Sequence, residues 1–146
     1  MHVAANEYKI ARRCPPAASR AFYRVLDHLA AELHRQGHAV AIVTNGTLLN
    51  RHLEAVAEHV DRIHISVDGL RNVHDAVRGA GVFDHLYACS NLDRFNFLRQ
   101  GWLIFLTTIS DSNLKEIAQL PLKLAGLGAN GIALHTMMYL KTMKNQ

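Results

Sequence analysis

An α/β fold with parallel strands is what this sequence predicts, and three observations predict it. Apolar runs of strand length recur: AVAIV (Ala39–Val43), the alternating RIHISV (Arg62–Val67) and WLIFLTTI (Trp102–Ile109). A run such as the first, apolar at every position, suits a parallel sheet covered on its faces. Stretches with helical spacing lie between these runs, which is the alternation of βα units. The 146 residues are 49% apolar and 19% charged, enough for one modest globular domain with a core.

The elements follow in order. Residues 1–18 show no clear period, and Pro15-Pro16 stop any helix arriving from that side. An irregular segment is expected there. From Ser19 the pattern turns helical, with Phe22, Val25, Leu26, Leu29 and Leu33 on one face and Gly37 as the stop. The strand Ala39–Val43 ends in the turn Thr44-Asn45-Gly46-Thr47. A second helix covers about 49–60, through Leu49, Leu53, Val56, Ala57 and Val60. The next strand is Arg62–Val67, and a third helix is expected over Phe83–Arg99. After the strand Trp102–Ile109, Asn113 with Glu116 reads as a helix N-cap and its capping-box partner. That fourth helix carries Leu114, Ile117, Leu120 and Leu124, and Pro121 should kink or interrupt it. A last strand covers Gly131–Met137, and 138–146 is a tail.

Parallel strands joined by right-handed crossovers allow two architectures: an open doubly wound sheet, or an arc of a β/α barrel. In both, ligands sit beyond the carboxyl ends of the strands. Polar residues gather at those ends: Thr44-Asn45-Gly46, Asp68-Gly69, Thr107-Thr108 and Ser110-Asp111. Strand alternation puts His64, Ser66 and Asp68 on one face, and Ile63, Ile65 and Val67 on the other.

The net charge of +4 is spread without a basic stripe, so a nucleic-acid partner is not expected. No apolar run reaches the roughly 18 residues of a membrane span, and the N-terminus lacks the core of a signal peptide. Two cysteines, Cys14 and Cys89, form no CxxC pair and no disulfide framework, so a reducing, cytoplasmic location is expected. None of the ten histidines falls in HExxH, and no metal site is expected.

Four stretches together resemble the radical S-adenosylmethionine (radical SAM) superfamily, in particular its SPASM-like branch, which modifies peptides and matures peptide-derived cofactors. They are IVTNGTLL (Ile42–Leu49), ISVDG (Ile65–Gly69), HDAVRGAGVFD (His74–Asp84) and TTISDSNLKEI (Thr107–Ile117). The resemblance implies a partial TIM-like barrel, with residues 19–137 as the core. It implies that Asn45 lies near the cofactor and that Ser66 contacts S-adenosylmethionine. It implies that Arg78 pairs with the ribose or carboxylate side, and that Asp68 shapes the turn after the strand. The parent chemistry is reductive cleavage of S-adenosylmethionine at a 4Fe-4S cluster, giving a radical that acts on a peptide or small molecule.

The family holds that cluster with a CxxxCxxC loop, and this sequence has none. Its GGEP segment is absent too. The expectation is therefore a core truncated on its N-terminal side, with no catalytic residue of its own and inactive alone. The partners expected are a missing N-terminal half, or a second copy pairing through an exposed first strand. Two other readings stand beside this one. One is a non-catalytic α/β module that binds a nucleotide-like ligand or a partner protein. The other is a β/α enzyme using Asp68 and His74 as acid and base.

Overall fold

The computed structural model of the chain describes residues 2–4, 16–88 and 102–136. Its elements run β1 His2–Ala4, α1 Pro16–Arg35, β2 Ala41–Thr44, α2 Leu49–Ala57, β3 Arg62–Ser66, α3 Arg71–Arg78, α4 Val82–Ala88, β4 Trp102–Ile109, α5 Leu120–Ala125 and β5 Gly131–Thr136. Most of the third expected helix, the tail, Cys14 and Cys89 lie outside the described residues.

The five strands among the described residues are all parallel, in the order β1-β2-β3-β4-β5. Every crossover therefore steps in the same direction. Crossovers of one hand that never reverse direction place their helices on one face of the sheet. The core agrees. Ile42, Ile63, Ile65, Leu103 and Phe105 from alternate strand positions pack with Leu26 and Ala30 of α1, Leu49 and Leu53 of α2, Phe83 and Leu86 of α4, and Leu120 and Leu124 of α5. The opposite face carries Val43, His64, Ser66, Ile104, Leu106 and Thr108, all half-buried. A doubly wound sheet would reverse at a switch point, and this sheet has none among the described residues. The order is that of consecutive strands in a β/α barrel.

Several expectations change. The N-terminal segment contributes a strand, and His2–Ala4 pairs along Ala41–Val43. The strand expected to present an open edge is thus paired on both sides. Helix α1 begins at Pro16, not Ser19, because proline at a first helical turn lacks only a donor that would go unused there. Its buried stripe is Leu26 and Ala30 with Leu33 against them, while Val25 is 67% and Leu29 40% exposed. A helix that was not expected, over 71–78, stands between β3 and α4. The fourth helix is short. Residues 111–119 form successive turns, and α5 starts at Leu120 with Pro121 in its first turn. No described helix is long and apolar enough to cross a membrane.

Candidate functional site at the carboxyl rim of the sheet

Three loops follow the carboxyl ends of the neighbouring strands β2, β3 and β4, and those after β3 and β4 are bonded to each other. The loop after β2 folds on its own side chains. Thr44 Oγ1 accepts from the Gly46 amide at 3.1 Å, and Asn45 Oδ1 accepts from the Thr47 amide at 3.1 Å and its hydroxyl at 2.9 Å. Gly46 has φ 78°, and a Cβ there would also lie 3.3 Å from Ile65 Cγ2. Asn45 is 3% exposed. With Oδ1 committed to a backbone amide, its orientation is set, and Nδ2 is left with no hydrogen-bond partner.

The loop after β3 is held from several directions. The Asp68 amide donates to His74 Nδ1 at 3.1 Å, from the helix that follows. Asn113, from the loop after β4, donates through Nδ2 to the Asp68 carbonyl at 2.7 Å and to the Thr108 carbonyl at 2.7 Å. Its Oδ1 accepts from the Ser110 amide at 2.9 Å. The Leu70 amide donates to Glu116 Oε2 at 2.7 Å. Between these bonds Gly69 runs so close to α3 that a Cβ would stand 2.8 Å from Val73. Asn113 and Glu116 thus do not close a capping box. They reach 45 and 46 residues back to hold a neighbouring loop.

The Asp68 carboxylate takes Arg78. Nε lies 2.5 Å from Oδ2 and Nη2 3.3 Å from Oδ1. His74 is fully buried, its ring edge-on to Phe83 with centroids 5.7 Å apart. Burial is the main cause that lowers its pKa to about 4, with Arg78 adding to it against the opposing pull of Asp68 and Asp75. The ring is neutral at pH 7. Because Nδ1 accepts, the proton sits on Nε2, which has no partner. Asp75 caps the start of α4, accepting from the Gly81 amide at 2.9 Å and the Phe83 amide at 2.8 Å. The Phe83 bond is the main cause that holds its carboxyl below the usual range, and the Gly81 bond adds to it.

The four residues singled out in the sequence fall on one stretch of rim. Asn45 follows β2. Ser66 ends β3, half-buried on the face away from the helices, and Ile63, Ile65 and Val67 are buried on the other face as alternation requires. Asp68 and Arg78 form one unit. Thr107 points into the helix side and is fully buried, while Thr108 is half-buried on the open face. The acid-base pairing of Asp68 with His74 is not built: the imidazole meets the Asp68 backbone, and the Asp68 carboxylate is taken by Arg78. Sequence reasoning missed the clamping roles of His74, Asn113 and Glu116. No described group gathers three or more histidine, cysteine or acidic side chains in metal-binding geometry.

Residues 16–123 match the family model described as the radical SAM superfamily, from α1 to within α5. No curated protein matches the chain.

Proposed function

Because the chain belongs to the radical SAM superfamily, we propose that the rim formed by the ends of β2, β3 and β4 binds S-adenosylmethionine. Asn45 carries this reading. It is buried, held in place through Oδ1, and its Nδ2 hydrogens have no acceptor among the described residues. A buried donor left unpaired costs about 1–3 kcal/mol, which a ligand offering an acceptor there recovers. Ser66 adds a hydroxyl on the same rim, and Arg78 a cation for the ligand's carboxylate. Asp68 holds the turn between them. When bound, S-adenosylmethionine supplies the sulfonium carbon that the family's chemistry acts on.

The 4Fe-4S cluster does not fit these residues. Such clusters are held by cysteine thiolates at close spacing, and this chain has two cysteines, Cys14 and Cys89, far apart in sequence. Ligands for a cluster would have to come from outside these 146 residues. We read the chain as the ligand-binding wall of a partial barrel, its open sheet face turned to the cavity. It comes from the peptide- and cofactor-maturing branch, and by itself it binds without cleaving.

Thermal unfolding with and without S-adenosylmethionine tests this. A ligand at one hundred times its Kd adds about 2.7 kcal/mol, a rise of several degrees for a chain of this length. Asn45→Ala should remove most of that rise. No rise and no binding heat at millimolar S-adenosylmethionine would refute the reading.

A further inference from the structure

We propose that Asp68 is a positioning residue: it holds one edge of the Arg78 guanidinium so that the other edge is presented to the carboxylate of the ligand. The inference rests on the S-adenosylmethionine reading above and names how the anionic end of that ligand is recognised.

A guanidinium has two edges that can grip a carboxylate with paired N–H groups. The side edge is Nε with Nη2, and the end edge is Nη1 with Nη2. Asp68 occupies the side edge, with Oδ2 2.5 Å from Nε and Oδ1 3.3 Å from Nη2. The hydrogen bonds of Arg78 among the described residues stop there, which leaves the end edge open. The Arg78 side chain keeps 26% of its surface exposed, while Asp68 keeps 10%. The cation therefore reaches outward past the carboxylate that holds it.

Asp68 can direct Arg78 because its own place is fixed. Its amide is bound to His74, its carbonyl to Asn113, and the next amide but one to Glu116. With the backbone tied on both sides of Gly69, the carboxylate has little freedom to follow the arginine. The guanidinium plane is set before a ligand arrives, and the ordering cost of a long side chain is met in advance. The pair is also neutral as a unit. An approaching carboxylate meets a directed set of N–H donors rather than a bare charge, which makes recognition depend on geometry. Lysine keeps the charge and lacks the fork.

The test uses the whole chain labelled with nitrogen-15, titrated with S-adenosylmethionine and with 5′-methylthioadenosine, which lacks the carboxylate. S-adenosylmethionine should shift the Arg78 Nη signals while the Nε–H signal stays in its Asp68-bound position. Asp68→Asn and Arg78→Lys should each weaken S-adenosylmethionine by about tenfold, the scale of one charge-assisted hydrogen bond, and weaken 5′-methylthioadenosine far less. Equal weakening of both ligands, or loss of the bound Nε–H signal as S-adenosylmethionine binds, would overturn the role given to Asp68. If neither nucleoside binds the unaltered chain, the reading of the rim falls. Sodium acetate then decides the role of Asp68: an Nη shift that Asp68→Asn abolishes upholds it, and no shift, or the same shift in both proteins, overturns it.

Discussion

The buried imidazole of His74 makes the fold acid-sensitive in a way that can be worked out. Its pKa is about 4 in the folded chain against 6.5 when unperturbed. Between those values the unfolded chain takes up a proton that the folded chain refuses. Stability from this group is therefore full above pH 6.5 and is lost as pH falls toward 4. At pH 4.5 the unfolded imidazole is almost fully protonated and the folded one only about a quarter. The loss between pH 7 and pH 4.5 comes to about 2.5 kcal/mol, a large part of the stability of a small domain. Protonation at Nδ1 would also break the bond from the Asp68 amide. Urea unfolding at pH 7 and pH 4.5 measures the loss. His74→Asn is the comparison, because its Oδ1 can stand where Nδ1 stood without taking a proton. The variant should be less stable at pH 7, and its decline with acid should be shallower by about 2.5 kcal/mol. Parallel declines in the two proteins, or a His74 ring signal that titrates near 6.5, would refute the reasoning.

Two further substitutions test the clamp on the loop after β3. Asn113→Ala removes three side-chain hydrogen bonds, a buried one to Asp68 and part-buried ones to Thr108 and Ser110, and should cost about 2–4 kcal/mol in urea unfolding. Gly69→Ala puts a methyl group 2.8 Å from Val73 and 3.0 Å from Glu116 Oε2, which should cost about 1–3 kcal/mol and displace the Leu70 amide, read as faster hydrogen exchange there.

The order of elements was legible because β2 and β4 are largely apolar runs of the right length, β3 alternates apolar with polar residues, and the helices before β3 carry apolar stripes. Helix α3 was not, for a physical reason. The residue it buries fully is a histidine, so a search for apolar periodicity passes over it. The strand His2–Ala4 is too short to show a period, and its place comes from pairing with β2. Val25 and Leu29 mislead in the other direction, because an apolar stripe does not say which of its edges meets the sheet. At the rim, the sequence placed Asn45, Ser66 and Asp68 at or just beyond strand ends, where the structure has them, and singled out Arg78 only by its family-like spacing. The hold of Asp68 on Arg78 was not legible, nor was the reach of Asn113 and Glu116 to the previous loop. Both are tertiary contacts, and Asn113 with Glu116 matches a local capping pattern equally well on paper.

The unreversed strand order has a consequence for how the chain assembles. Each strand lies against the one made just before it, so no strand waits for a distant partner yet to be synthesised. A chain emerging from its N-terminus can add one βα unit at a time to an edge already standing, and the loop-closure entropy of each addition is that of a single crossover. The clamp from Asn113 and Glu116 comes last to its target. The loop after β3 is complete in sequence well before the residues that secure it exist, so the rim takes its final shape only once the following strand has docked.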